Sequence, residues 1–170
     1  RGTVAASLAS ALRSSTERTL SSISGIRTDR HDRALRQAEH LAASLSVVDL
    51  SSREALGASL AAAFSASAAF ELLYAMDARG LQVSDNVVNP LCVGRISSAG
   101  YGADRSSKEY FSEPIRTGRP YLSPAYLSSA SGSLCITAAV PLRDRSGALR
   151  GVLAADFDAT GLSGSACPDA

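Results

Sequence analysis

Tryptophan is absent from this 170-residue chain, methionine and lysine each occur once, and there are only two histidines and three cysteines. These shortages exclude several chemistries. His31 and His40 lie nine residues apart in a helix-like stretch and do not share a face, so solvated helix positions are the simpler reading than metal ligands. Cys92, Cys135 and Cys167 show no CxxC or Cys/His spacing, which argues against a structural zinc site. An odd number permits one disulfide and leaves a thiol, with pairing and compartment both open. No apolar run approaches the ~20 residues that span a bilayer. A formal net charge of +1 with no basic stripe gives nucleic acid no footing. No glycine-rich phosphate loop follows a strand, no nucleophile elbow occurs and neither histidine falls near the strand region, so an enzyme reading has no anchor. A carboxylate pair could be drawn only from Asp104, Glu109, Glu113 and Asp156, and no spacing favours it. No cofactor is expected.

What is present is enough apolar material, 45% of the residues, to bury one core. Residues 3–48 read as helix: Val4, Leu8, Leu12, Leu20 and Ile23, then Leu35, Ala38, Leu41, Leu45 and Val48, recur at helical multiples, with Gly25 as a possible kink. A second helix is predicted from Ser51 to about Ser65, opened by the capping box Ser51-Ser-Arg-Glu54. Phe70–Met76 and Leu81–Val83 read as strands around an Asp77–Gly80 turn, and residues 84–100 as loop. Ser106-Ser-Lys-Glu109 offers a second capping box, which places Lys108 in the first turn of a short helix that Gly118 stops. Strands are then predicted over Tyr121–Leu127, Leu134–Leu142 and Leu149–Phe157, with a hairpin turn at Asp144–Gly147 and a frayed tail beyond Asp158. The fold class is α+β: a long N-terminal helix, then one antiparallel sheet flanked by short helices.

The run Lys108-Glu-Tyr-Phe111, with Gly118-Arg-Pro-Tyr121, Ala125-Tyr126, Gly132, Thr137, Pro141-Leu142, Asp144, Gly147 and Gly151-Val-Leu-Ala-Ala-Asp156, resembles the Cache family of PAS-like extracytoplasmic sensor domains. The resemblance covers about residues 1–158 and implies a long helix at 1–50, one sensor module at 51–158 and a flexible tail at 159–170. The chain begins at Arg1, not Met, and reads as a fragment whose membrane anchors lie outside it. The implied setting is the periplasmic or other extracytoplasmic part of an inner-membrane receptor. Its output would belong to a chemoreceptor, a histidine kinase or a cyclic-dinucleotide enzyme, and its first helix would form a homodimer seam.

The same resemblance implies a ligand site. Where the family usually carries Arg-x-(Trp or Tyr)-(Tyr or Phe), this chain has Lys108-Glu-Tyr110-Phe111, which keeps the charge but loses the planar fork. Asp156 matches the acid that amino-acid sensors place on the last strand against a ligand ammonium; C4-dicarboxylate sensors generally place lysine there. Ser128 stands where those sensors often carry a second acid. The expected ligand-binding residues are Lys108, Tyr110, Tyr126, Ser128, Asp156, Tyr101, Asp104 and Thr137. Each has a plainer alternative: an arginine or backbone partner for Asp156, solvent for Lys108, core packing for the tyrosines, a turn or cap for Asp104. Phe111 reads as core and Asp158 as an exposed strand end. The expected function is sensing of a small amine-containing metabolite such as an amino acid. The alternatives are a ligand-free dimerisation module of the same fold, or a sensor of a small carboxylate.

Overall fold

The computed structural model describes residues 15–16, 29–64 and 70–159. The chain divides into two units, residues 1–33 and 34–170. In the first, residues 15–16 and 29–33 are helical; Gly25 and the whole of the first predicted helical stripe, Val4 to Ile23, lie outside the described residues, as does the tail from 160.

The second unit opens with helix α1 (34–44) and a short 3-10 turn, Leu45–Val47. Helix α2 (Arg53–Ala63) follows, then strands β1 (Leu72–Asp77) and β2 (Val87–Val88). Helix α3 (Glu109–Thr117) precedes β3 (Tyr121–Leu122), β4 (Tyr126–Leu127), β5 (Leu134–Arg143) and β6 (Leu149–Asp158). The strands form one antiparallel sheet in the order β2-β1-β6-β5-β3, with β4 also on β5. The expected α+β architecture is therefore what the chain adopts.

Alternation along the strands divides the sheet into two faces. Leu73, Ala75, Ile136, Ala138, Val140, Leu142, Leu153, Ala155 and Phe157 pack with Ala34, Ala38, Leu41, Leu45, Leu56 and Leu60. On the other face Leu72, Tyr74, Met76, Ala139, Val152 and Ala154 meet Tyr110 and Phe111 of α3. Burying an apolar side chain is worth about 1.5–3 kcal/mol, so both faces contribute, and among the described residues one short helix covers the second. Thr137 and Asp156 fall on this second face by the same alternation, and they stand side by side with Leu72 in register: Leu72 opposite Asp156, Asp156 opposite Thr137.

Several local predictions change. The Tyr121–Leu127 strand is two short strands, because Pro124 lies between them and has no amide to give. The 84–100 loop contains β2 and a 3-10 turn at Pro90–Cys92, whose entry Asn89 caps by accepting from the Leu91 amide. The return at Leu81–Val83 is reduced to the isolated bridges Met76–Gln82 and Leu81–Asp104. Ser52, not Ser51, caps α2, accepting from the Ala55 amide. Helix α3 begins two residues later than its capping box implied: Lys108, not Ser106, is the N-cap, in extended conformation, and no side chain caps it. Asp104 instead takes the Ser106 amide. Gly118 stops α3 in the left-handed region, φ 65°, as expected. Asp158 is buried rather than exposed, because β6 runs to it and pairs it with Cys135.

Candidate functional site

Between the second sheet face, α3 and the flanking loops lies a cavity of about 370 Å³, a size suited to a small metabolite. Its sheet side is Leu72, Tyr74 and Asp156; its helix side is Lys108, Glu109 and Tyr110. Ser123, Pro124, Tyr126, Leu127, Ser128, Ser129 and Ala130 form a third wall, and Asn86 and Arg105 the fourth.

Asp156 is the most heavily constrained of these groups. Its carboxylate is buried, and Oδ1 accepts from the Thr137 hydroxyl at 2.7 Å. Thr137 Oγ1 also lies 2.7 Å from the Tyr126 hydroxyl. Threonine has a single hydroxyl proton and gives it to Asp156, so Tyr126 must donate to Thr137. The Thr137 amide donates to Ser123 Oγ at 2.9 Å, which fixes the threonine from behind. Burial pushes the Asp156 carboxyl up from 3.8 to about 7, against the downward pull of the Thr137 hydroxyl and the Arg105 charge. A buried acid with so little compensation is poised to take a cation.

The aromatic wall is continuous. Tyr110 stacks on Tyr126 with centroids 6.1 Å apart, and Tyr74 meets Tyr110 edge-on at 6.4 Å. Burial first, and Asp156 second, raises the hydroxyls of Tyr74 and Tyr126, so both stay protonated as donors at neutral pH.

Of the residues singled out by sequence, Lys108, Tyr110, Tyr126, Ser128 and Asp156 line the cavity together. Thr137 supports it from beneath, through Asp156 and Tyr126. Ser128 turns its hydroxyl to the amides of Ala130 and Ser131, organising its own loop. Tyr101 and Asp104 are not part of the lining. Tyr101 is exposed beneath the Arg53 guanidinium, 4.4 Å from its ring centre, and Asp104 serves its local turn. Loop membership alone did not say which way either would face. Arg105, Tyr74 and Asn86 were missed. Tyr74 was already on a predicted strand, and its alternation with Leu73 and Ala75 could have assigned its face; Arg105 carried no periodic signal.

Replacing Thr137 by valine removes the hydroxyl that stabilises the Asp156 carboxylate. The titration midpoint of the Asp156 carboxyl then moves up by about one unit, for the loss of a charge-assisted hydrogen bond, which NMR titrations of the carboxyl carbon from pH 6 to 9 would measure.

Elsewhere, Cys92 is disulfide-bonded and Cys135 is a buried free thiol pushed up to about 12 by burial. Among the described residues no cluster of histidine, cysteine and acids could hold a metal, and no helix is long and apolar enough to cross a membrane.

Comparison with solved structures finds the same fold in chemoreceptors. An extracellular ligand-binding receptor from Desulfohalobium retbaense superposes with a TM-score of 0.58 at 23% identity, over 77% of this chain and 22% of that one. The ligand-binding domain of the Pseudomonas aeruginosa amino-acid chemoreceptor PctC, in complex with GABA, gives 0.54 at 19% identity, over 78% and 58%. A curated relative, a citrate (Re)-synthase from Syntrophus aciditrophicus, is 28% identical over 87 residues, which is 51% of this chain but 14% of that protein. The chain thus spans only a part of each of these relatives. Residues 61–163, which include the sheet, α3 and all the cavity-lining residues, match one family description, and on that match the chain belongs to the methyl-accepting chemotaxis protein-like, first PDC sensor domain family.

Proposed function

We propose that this domain is the extracytoplasmic ligand-binding part of a transmembrane signalling receptor and that its ligand is a small amine-containing metabolite, an amino acid foremost. The observation that carries this reading is Asp156: a buried carboxylate at the base of a metabolite-sized cavity, opposed by cationic side chains at the other walls. A zwitterion satisfies both ends at once, giving the acid the ammonium it lacks and the cations a carboxylate. The PctC domain, solved with GABA, has the same fold, which supports the reading without fixing the ligand.

In mechanism, a bound zwitterion draws the loop and α3 side of the cavity towards β6. It can bias the receptor only by the difference in its affinity for the closed and open arrangements. The receptor's anchors, its dimer seam along the first helix, and the division into helix (1–50), module (51–158) and tail (159–170) belong to the same proposal.

The test is thermal unfolding against a panel of amino acids, amines and organic acids. A ligand at 100 times its dissociation constant adds about 2.7 kcal/mol of stability, and amino acids should be among the hits. A panel flat throughout would reject the reading in favour of a ligand-free dimerisation module. A response to carboxylates alone would recast it as a carboxylate sensor.

A further inference from the structure

We infer that Arg105, not Lys108, is the carboxylate anchor of this cavity, and that it receives the carboxylate of an α-amino acid whose amine lies on Asp156. This rests on the cavity being the ligand site, as proposed above.

The argument begins with what holds each cation. Lys108 is exposed and sits at the N-cap of α3, where the helix dipole disfavours a positive charge. Its ammonium ends a long flexible chain, and an exposed ion pair is worth little. Arg105 is half-buried and tethered: Nε and Nη2 both donate to Gln82 Oε1, at 3.2 and 3.1 Å. Gln82 is itself fully buried and cannot turn, because its Nε2 donates to Ser84 O and Asn86 Oδ1. Asn86 in turn donates to the carbonyls of Ser97 and Ala99. Gly100 packs so tightly on the Gln82 and Asn86 amides that a Cβ there would collide with both.

That chain fixes one edge of the guanidinium, the edge formed by Nε–H and one Nη2–H. Five N–H groups minus the two used leave three, and the Nη1/Nη2 end is a second flat fork of the geometry that grips a carboxylate through two bonds. The guanidinium lies 5.8 Å from the Tyr74 ring centre, over the wall that leads to Asp156. Its charge also reaches Asp156, lowering that carboxyl against the effect of burial. The bidentate grip that the Lys108 position gave up is thus available three residues earlier, on a side chain ordered in advance. Gln82 is the positioning residue for it.

The test uses titration calorimetry on the 170-residue chain with the twenty proteinogenic L-amino acids and GABA. The tightest binder is then compared with its decarboxylated amine and its deaminated acid. Arg105→Ala, assayed at pH 9 where Asp156 is ionised with or without the guanidinium, should weaken the amino acid roughly 10- to 100-fold while leaving the decarboxylated amine nearly unchanged. Lys108→Ala should cost less than about fivefold on either. Arg105→Lys, which keeps charge and fold, should still lose most of the carboxylate discrimination. Gln82→Glu should lower discrimination more than amine affinity, a readout that general loosening would not give. The inference is overturned if Lys108→Ala takes the large carboxylate-dependent loss and Arg105→Ala does not. Tight binding of the amine with no gain from its carboxylate would keep the Asp156 end and remove the Arg105 anchor. Binding of the deaminated acid, lost in Arg105→Ala, would keep the anchor and remove the amine reading. No binding of any probe by the wild-type chain would remove both.

Discussion

Asp156→Asn abolishes binding of an ammonium-bearing ligand and, at pH 8, makes the ligand-free domain more stable than wild type. Both effects come from the same burial. The unfolded chain holds this carboxyl at 3.8 and the folded one at about 7. Between those values the folded state binds a proton that the unfolded state has lost, so folding is favoured at the acid end. Stability contributed by the neutral form is therefore complete below about pH 4, declines as pH rises, and is gone above about pH 7. At about 1.4 kcal/mol per pH unit, the decline totals on the order of 4 kcal/mol. Asparagine has no charge to desolvate and still offers Thr137 an acceptor, so its profile lacks that decline. Denaturant melts of the two proteins from pH 4 to 9 should start together and separate as pH rises; parallel profiles would refute the account. Ligand affinity runs the opposite way in wild type. Only the ionised acid pairs with an ammonium, so affinity drops about tenfold for each unit below pH 7. Calorimetry in buffers of different ionisation enthalpy should detect the released proton near neutrality.

Gly151→Ala costs about 3 kcal/mol, and its melting temperature falls by roughly 6–12 °C. Gly151 sits in β6 between Asp77 and Leu142, next to the irregular register at Leu142/Arg143. A Cβ at this position would run into the backbone carbonyl of Met76, inside van der Waals contact, and the backbone around Asp77 is close as well. Backbone cannot swing aside as a side-chain tip can, so β1 and β6 would have to part in the centre of the sheet. Gly57 provides the control. It lies within α2, a Cβ there meets nothing, and alanine at that site should stabilise by up to about 1 kcal/mol. Equal effects at the two positions would show that helix and strand propensity, not the close approach, governs both.

The apolar runs of β5 and β6 made most of the sheet legible from sequence, because a strand buried on both faces is apolar at most positions whatever surrounds it. Gly118 and the Asp144–Gly147 turn were legible for a similar reason, each requirement being satisfied within a few residues. Helix starts were less so. Two adjacent serines precede α2, and which one caps is set by where the preceding loop leaves the chain. Before α3, Asp104 captures the Ser106 amide and displaces the cap to Lys108. The site divides along the same line. Asp156, Tyr110 and Tyr126 lie on regular elements and could be assigned a face. Arg105 lies in a loop and owes its orientation to Gln82, 23 residues earlier, which no local pattern connects to it. Lys108, which the family resemblance pointed to, lines the same cavity.

β6 is hydrogen-bonded along its length to β1 on one side and β5 on the other, so the strand that carries the acid is an anvil and not a lever. Any travel on loading has to come from the opposite jaw, residues 81–117, whose amides should gain deuterium-exchange protection while those of β6 stay equally slow throughout.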